Sequence, residues 1–138
     1  MADDCLFCRI IQGRIPSQKV YEDPRVTAIL DINPVAPGHT LVLPREHHAT
    51  FTDLPGPLLA ELAARTQQVA RGVMRATGAP GFNLLMNNHR CSGQAVFHAH
   101  WHVIPRREGD GVSFHWAPGK YGDGEMERTA ESIRKALL

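Results

Sequence analysis

The sequence predicts an α+β domain built on a five-stranded antiparallel sheet, with one long helix and a short N-terminal helix. Two observations carry this prediction: short strand-like runs are joined by turn residues as in hairpins, and one long segment repeats its apolar residues at helical spacing. Strands that alternate with helices would instead indicate a parallel sheet. Because 138 residues suffice for one core without disulfides, we expect a single domain over residues 1–138, with 107–138 as a C-terminal tail.

The predicted elements follow one another in a simple order. Residues 5–12 place apolar side chains at helical spacing and predict a short helix that ends at Gly13. Turn residues or prolines bound five predicted strands, which cover residues 18–22, 26–32, 39–44, 82–86 and 96–104. The long helix is predicted over 57–77, where apolar residues recur at three- and four-residue steps before Gly78. Pro105 is expected to end the fifth strand, and 125–138 to form a closing helix with Ile133 and Leu137 facing inward.

Composition and charge exclude several classes of function. The chain carries 15 basic and 14 acidic residues, a formal charge of +1, and neither sign forms a long run. With no basic patch, we expect neither a nucleic-acid nor a membrane partner. No apolar stretch approaches the roughly 18 residues of a membrane span, and the acidic start of the chain lacks the parts of a signal peptide. We therefore expect a cytoplasmic protein.

A row of histidines near the end of the chain is the most informative feature for function. Side chains of a strand alternate between its two faces, so a strand over 96–104 would place His98, His100 and His102 on one face. Neighbours in that row would lie about 6.5 Å apart, so one phosphate-sized group could contact two of them. A neutral imidazole is also a nucleophile once a hydrogen bond to one ring nitrogen leaves the other free. The pattern indicates phosphorus chemistry.

Two other interpretations of this row stay open, a metal-binding cluster and a polar strand face exposed to water. Alternate residues of a single strand do not converge tetrahedrally on one ion, so a zinc site made by this strand alone fits poorly. A solvated face would not usually use histidine three times. The residues alone therefore favour catalysis over the other two interpretations.

The residues around the row resemble the signature of the histidine-triad (HIT) family. The strongest resemblance lies in residues 94–106, QAVFHAHWHVIPR. Three earlier segments resemble family motifs in the same order: residues 5–11 (CLFCRII) the opening, 30–34 (LDINP) the ribose-binding strand, and 37–44 (PGHTLVLP) the third-strand motif. The chain is thus identified as a member with a HIT-like fold, and its CxxC opening resembles bacterial members.

The resemblance implies roles for the histidines. His100 would form a covalent nucleotidyl intermediate in a double displacement. His102 would contact the α-phosphate and the leaving group, His39 would support it from the neighbouring strand, and His98 is the first member of the triad. Three further residues are implied near the phosphate and leaving group: Asn87, Gly93 and Gln94. Some family members carry a serine that can donate to the leaving group where this chain has Ala95, so the acid step here would rest on a histidine or on a neighbour of Gln94.

The resemblance also implies a nucleoside site. Asp31 would accept both ribose hydroxyls, although a turn-forming aspartate before Asn33 is the alternative. Four apolar residues would hold the base: Leu6, Phe7, Ile10 and Ile32. Ordinary core packing explains these four equally well, because apolar residues on a short helix and a strand are mostly core.

The pair Cys5 and Cys8 has the C-x₂-C spacing that supplies two thiolates to a zinc ion. A thioredoxin-like redox pair is the main alternative, but it would follow a strand in a βαβ unit, which this N-terminus lacks. The resemblance to bacterial members implies that His47 and His98 complete a structural zinc site. In that case His98 would affect catalysis indirectly, by orienting the strand beneath His100.

The resemblance thus implies a nucleotide hydrolase or transferase. It would cleave a nucleoside 5′-monophosphate from a leaving group, in a phosphoramidate or a dinucleoside polyphosphate, or pass the nucleotidyl group to a phosphate or a sugar phosphate. The alternative is a nucleotide-binding or adaptor protein with a vestigial triad. We expect no metal in the chemical step. The family further implies a homodimer in which the tail, residues 114–119, lies near the partner's active site.

Overall fold

The computed structural model describes residues 3–138 and contains a five-stranded sheet in the order β1-β2-β3-β5-β4, with every neighbouring pair antiparallel. The strands are β1 (Lys19–Glu22), β2 (Val26–Leu30), β3 (Thr40–Pro44), β4 (Gly81–Leu85) and β5 (Trp101–Arg106). The α-helices of the described residues are α1 (Leu6–Ile11), α2 (Gly56–Thr77) and α3 (Glu125–Ala136). The predicted α+β class, with its antiparallel sheet, long helix and short N-terminal helix, is confirmed. None of the helices in residues 3–138 combines the length and apolar character that a membrane span requires.

Different helices cover the two faces of the sheet. The amphipathic helix α2 packs on one face, and Gly78 ends it in the left-handed conformation, as predicted. Side chains of β2, β3 and β5 join α2 in a core that includes Val26, Val42, Leu58, Leu62 and Val103. The short helix α1 packs on the opposite face in a second core of Phe7, Ile10, Ile11, Ile29, Leu41 and Leu43. Burial on both faces makes β2 and β3 almost continuously apolar.

The fifth strand differs from the prediction at both ends. It begins at Trp101 rather than at residue 96, because the amide of Ala99 donates to the His48 carbonyl and the amide of His98 to the Val96 carbonyl, instead of to a neighbouring strand. The prediction that one strand carries all three histidines is therefore wrong. Pro105 lies inside the strand, where it is tolerated because the β3 pairing reaches only as far as Val103.

The C-terminal helix exists but does not close the core. Ile133 and Leu137 are 56% and 80% exposed, so the prediction that they face inward is wrong. Every residue of α3 is exposed or half-buried. The two cores of the described chain are formed by the sheet with α1 and α2, and neither includes a residue of α3.

Candidate active site

A pocket of about 380 Å³ opens on the α1 side of the sheet, between the end of β2 and the segment that leads into β5. It brings together most of the residues that sequence reasoning selected: Leu6, Phe7, Ile10, Asp31, Ile32, Asn87, Gly93, His100 and His102. The other three predicted residues, His39, Gln94 and His98, do not line it. The pocket wall also contains Ile15, Pro16 and Ser17, to which the sequence assigned no role, together with Ala95 and Val96 of the family motif.

His100 is held with one ring nitrogen free. Its Nδ1 lies 2.6 Å from the backbone carbonyl oxygen of His98, and because a carbonyl oxygen only accepts, Nδ1 carries the proton and donates. The Nε2 atom therefore keeps its lone pair. The ring is buried, packs edge-on against Phe7 with the centroids 4.9 Å apart, and lines the pocket. Burial lowers the pKa of His100, which favours the neutral, nucleophilic form.

His102 ends a chain of hydrogen bonds that begins in the loop before β3. The amide of Val35 donates to Nδ1 of His39 over 3.3 Å, which leaves the proton of the neutral His39 ring on Nε2. That Nε2 lies 2.9 Å from Nδ1 of His102 and donates to it. His102 accordingly carries its own proton on Nε2. Burial, assisted by the neighbouring His100 and His39, lowers the pKa of His102 to about 4.

Asp31 lies at the end of β2, where its amide donates to the carbonyl of His39 and sets the two residues side by side. One carboxylate oxygen accepts the amide of Asn33 at 2.8 Å, which is the turn-forming role considered above. The other lies 3.6 Å from Nε2 of His39. Asp31 also lines the pocket, so one carboxylate serves both the turn and the site. The potential metal-ligand atoms of three residues, Asp31, His39 and His102, lie within 4.8 Å of one another. The hydrogen bond from His39 to His102 accounts for this proximity without a metal ion.

The apolar residues selected for the base divide into two pairs. Phe7 and Ile10 are buried and belong to the core beneath α1, so their packing role holds alongside their place in the pocket wall. Leu6 and Ile32 line the same pocket but are 44% and 88% exposed. Core packing therefore does not explain this second pair, and the exposed apolar surface at the pocket suits a planar base.

The polar residues expected near the phosphate are less available than the sequence suggested. The side-chain amide of Gln94 donates to the carbonyls of Ala49 and Val96, and its oxygen accepts the amide of His89. The Gln94 side chain thus stabilises the loop between β4 and β5. The amide of Gly93 donates to the carbonyl of Arg90, so it is already engaged within the loop that lines the pocket. Asn87 is the exception, because its side chain lines the pocket and forms no hydrogen bond within the described chain.

A second cluster joins Cys5, Cys8, His47 and His98 behind the pocket. Their ligand atoms lie within 4.8 Å of one another, and Nδ1 of His98 is 3.5 Å and 3.6 Å from the two sulfur atoms. The Nε2 atom of His98 lies 2.7 Å from the Pro44 carbonyl and donates to it, which leaves Nδ1 without a proton. Two thiols and two imidazole nitrogens form a donor set that fits tetrahedral zinc. The cluster also shows where His98 points: its ring faces the cysteines, and only its backbone carbonyl reaches His100.

With this geometry established, comparison with known proteins defines the class. The model of the HIT domain matches residues 12–109. The chain therefore belongs to the HIT family. The adenylylsulfatase HINT3 of Arabidopsis thaliana is 41% identical over 110 residues, 80% of this chain, and the match spans 56% of the plant protein. The adenosine 5′-monophosphoramidase HNT1 of Candida albicans is 30% identical over 138 residues, 96% of this chain and 91% of the yeast protein.

Solved structures agree with this assignment. The protein SMU.412c of Streptococcus mutans is 40% identical and superposes with a TM-score of 0.95, over 100% of this chain and 88% of that chain. A Zn-bound histidine triad family protein of Mycobacterium smegmatis is 38% identical with a TM-score of 0.76, over 98% of both chains. The cluster of cysteines and histidines here could hold a metal ion, and a relative of this fold binds zinc.

Proposed function

We propose that the protein is a nucleotide hydrolase or transferase that cleaves a nucleoside 5′-monophosphate from its leaving group through a covalent intermediate on His100. The observation that carries the proposal is the hydrogen bond from Nδ1 of His100 to the His98 carbonyl. It leaves the Nε2 lone pair of a buried, neutral imidazole at the wall of a nucleotide-sized pocket. Relatives named for cleaving an adenylyl sulfate and an adenosine phosphoramidate support the same chemistry.

The reaction proceeds in two displacements. The Nε2 lone pair of His100 forms a bond to the α-phosphorus, and the bond from phosphorus to the leaving group breaks, with its electron pair departing on the leaving group. The His98 carbonyl stabilises the positive charge that develops on the ring, because it accepts the Nδ1 proton at 2.6 Å. A water or another acceptor then attacks phosphorus, the bond to Nε2 breaks, and the electron pair returns to the ring. When the acceptor is water, its proton is released to solvent.

The other pocket residues position the substrate. The Nε2 proton of His102, fixed by the chain from Val35 and His39, donates to an oxygen of the phosphate. Asp31 accepts the ribose hydroxyls, and the exposed apolar side chains of Leu6 and Ile32 contact the base. Asn87 supplies a free side-chain amide next to the leaving group.

A structural zinc ion held by Cys5, Cys8, His47 and His98 completes the proposal. The cluster ties α1, the loop after β3 and the segment before β5 together, so ligation would stabilise the backbone that presents the His98 carbonyl. When bound, zinc supplies structural cross-linking at this position. The chemistry at phosphorus is carried by the pocket residues described above.

The protein acts as a homodimer in this proposal. Strand β4 is an unpaired edge of the sheet with Phe82 and Leu84 exposed, and a two-fold axis there would pair two identical edges. The tail carries Trp116, which is 83% exposed in one chain and would reach the partner's pocket. Light scattering after size-exclusion chromatography should give twice the chain mass, and a monomeric mass at micromolar concentration would contradict the dimer.

A rapid quench in alkaline denaturant tests the proposed function. Protein mixed with excess adenosine 5′-phosphosulfate or adenosine 5′-phosphoramidate, labelled at phosphorus, should retain label through a bond that survives alkali and is broken by acid. The His100→Ala variant should retain none, while its affinity for AMP stays close to that of the wild type. A folded wild-type protein that binds AMP but neither retains label nor releases AMP would instead indicate a binding or adaptor protein.

A further inference from the structure

The cluster of Cys5, Cys8, His47 and His98 opens to solvent on one side. Two of its members, Cys5 and His47, line a surface depression of about 370 Å³. Cys5 is half-buried there, whereas Cys8 is completely buried. A small molecule can therefore reach one sulfur atom of the cluster, and the second sulfur atom lies behind the first.

The two sulfur atoms are also placed to react with each other. All ligand atoms of the cluster lie within 4.8 Å of one another, and this limit includes the two sulfur atoms. Cys5 directly precedes α1 and Cys8 lies in its first turn, so helix geometry separates their Cα atoms by about 5 Å. Disulfides join Cα atoms that are about 4.4–6.8 Å apart. The backbone of this turn therefore already allows a disulfide between the two residues.

The same turn forms part of the wall of the nucleotide pocket. The two residues between the cysteines, Leu6 and Phe7, both line that pocket. Phe7 packs edge-on against the ring of His100, with the centroids 4.9 Å apart. Leu6 lines the depression at Cys5 as well. A covalent change that rearranges the cysteines therefore acts directly on two residues of the pocket wall.

A second route connects the cluster to the pocket through His98. Nδ1 of His98 lies 3.5 Å and 3.6 Å from the sulfur atoms of Cys5 and Cys8. The backbone carbonyl of His98 accepts the Nδ1 proton of His100. Because the thiolate is the form of cysteine that binds a metal, a disulfide could not hold zinc together with the histidines. Oxidation would thus remove a link between α1 and the segment that orients His100.

We propose that Cys5 and Cys8 form an oxidative modification site, at which a peroxide converts the pair into a disulfide, releases the metal ion and weakens nucleotide binding in the adjacent pocket. The effect on nucleotide binding rests on the proposed function, whereas the oxidation itself does not. A peroxide suits the site because it is small enough to enter the depression and reach the half-buried sulfur of Cys5.

The oxidation consumes one peroxide for each pair of cysteines. The Cys5 sulfur attacks one oxygen of the peroxide, the bond between the two oxygens breaks, and the departing oxygen takes up a proton and leaves as water or an alcohol. Cys5 is then a sulfenic acid. The Cys8 sulfur attacks the sulfur of Cys5, the bond from sulfur to oxygen breaks, and the hydroxide takes up a proton and leaves as water. The cysteines lose two electrons, which the peroxide gains, and a dithiol reverses the change through a mixed disulfide.

Alkylation of zinc-loaded protein, followed by mass spectrometry, tests the oxidation. Both cysteines lie in the tryptic peptide of residues 1–9, MADDCLFCR. After treatment with hydrogen peroxide and denaturation in EDTA, this peptide should take up no alkylating reagent until dithiothreitol is added. A chromogenic chelator should record the release of about one zinc ion per chain. Oxidation of the exposed Cys91 in a chain whose 1–9 peptide keeps both thiols, or a disulfide that forms while zinc stays bound, would overturn the proposal.

Two serine variants test which sulfur reacts first. Cys8→Ser removes the buried sulfur, so peroxide should leave Cys5 as a sulfenic acid that dimedone captures on the 1–9 peptide. Cys5→Ser is the matched control, because it keeps only the buried sulfur of the pair, and its peptide should capture much less dimedone. Capture on Cys8 but not on Cys5 would contradict the assignment of Cys5 as the attacking residue.

Titration with AMP tests the coupling to the pocket. The Cys91→Ser variant is used, because Cys5 and Cys8 are then the remaining cysteines of the chain. Its oxidised form should bind AMP at least about 5-fold more weakly than its reduced form, the lower end of the coupling that is typical between two sites, and dithiothreitol should restore the affinity. Equal affinities of the two forms would overturn the coupling. A reduced, folded protein that does not bind AMP would instead overturn the proposed function.

Thermodynamic linkage provides an independent measurement of the same coupling. If the disulfide weakens AMP binding by a given factor, saturating AMP must raise the equilibrium ratio of reduced to oxidised protein by that same factor. The ratio is measured by alkylation of the 1–9 peptide in a thiol–disulfide buffer of fixed zinc concentration, with and without AMP. We expect an increase of at least about 5-fold. A ratio that AMP leaves unchanged would overturn the link between the cysteines and the nucleotide pocket.

Discussion

Replacing Asp31 by asparagine tests the nucleoside half of the site. Asparagine keeps the shape of the side chain and keeps an oxygen to accept the amide of Asn33, so the turn at the end of β2 is preserved. The change removes the negative charge and replaces one carboxylate oxygen by a donor. If Asp31 accepts both ribose hydroxyls, AMP should bind more weakly while the fold stays the same.

The size of the effect follows from the kind of hydrogen bond that is lost. A hydrogen bond to a charged acceptor contributes about 1.5–3 kcal/mol, against about 0.5–1.5 kcal/mol for a neutral pair. The difference is about 1–1.5 kcal/mol per hydroxyl, or about 2–3 kcal/mol for two. That corresponds to AMP binding that is about 30- to 160-fold weaker.

Calorimetric titration of wild type and Asp31→Asn with AMP and with 2′,3′-dideoxy-AMP isolates the contact. Removing the hydroxyls should weaken binding to the wild type, and it should weaken binding to the variant by a factor that is about 30- to 160-fold smaller, because the variant has already lost the charged part of both hydrogen bonds. Asp23→Asn is the matched control, because Asp23 lies at the turn between β1 and β2, hydrogen-bonded to Tyr21 and Arg65 and outside the pocket. Losses that simply add, so that the variant still prefers AMP by the full wild-type factor, would refute the ribose contact.

Three further predictions concern zinc, the chemical step and stability. Purified protein should contain about one zinc ion per chain, and the double variant Cys5→Ser, Cys8→Ser should lose the ion and melt at a lower temperature. Replacing the exposed Cys91 by serine is the control and should change neither the zinc content nor the melting temperature. Metal-free wild-type protein of equal stability would contradict the site. Turnover should be unchanged by EDTA in protein that stays folded by circular dichroism, and a steep loss there would implicate a metal in the chemistry. Asp23→Ala should lower the free energy of unfolding by about 1–2 kcal/mol at pH 7, a value reduced for the solvent exposure of Arg65, one of its partners. Although burial opposes the shift, hydrogen bonds from Tyr21, Arg25, Val26 and Arg65 lower the pKa of Asp23 from 3.8 to about 2. The stability difference should therefore be complete above pH 4 and vanish as the pH falls toward 2, and a urea titration that finds it unchanged at pH 2 would contradict this assignment.

The parts of the fold that depend on local chemistry could be predicted from the sequence. Hairpin turns, the apolar periodicity of α2 and the stop at Gly78 act over a few residues, and each is present in the structure. The start of β5 could not be predicted, because it depends on a contact between residues far apart in the sequence. The amide of Ala99 donates a hydrogen bond to the carbonyl of His48, so residues 96–100 do not pair with a neighbouring strand. The exposure of α3 also depends on long-range packing, since its amphipathic pattern alone resembles that of a core helix.

The candidate site shows the same division. Residue types and motif order were enough to select His100, His102, Asp31 and the cluster of cysteines and histidines, which the structure brings together in two groups. The sequence could not predict which group donates and which accepts in each hydrogen bond of the site. The group that orients His39 is the backbone amide of Val35, and no residue type in the sequence indicates such a contact. Gln94 was selected to contact the phosphate, but its side-chain amide donates to the backbone carbonyls of Ala49 and Val96.

The central claim is that Nε2 of His100 forms the covalent bond to phosphorus. Mass spectrometry of protein that is quenched in alkaline denaturant after reaction with adenosine 5′-phosphosulfate, and digested with trypsin at mildly alkaline pH, tests it most directly, because it locates the nucleotide on one residue. We expect the mass of one adenylyl group on the peptide that contains His100, and its absence in His100→Ala together with a fall in turnover of about 10⁴-fold or more. Adenylyl mass on another residue, or near-native turnover in His100→Ala, would contradict the mechanism.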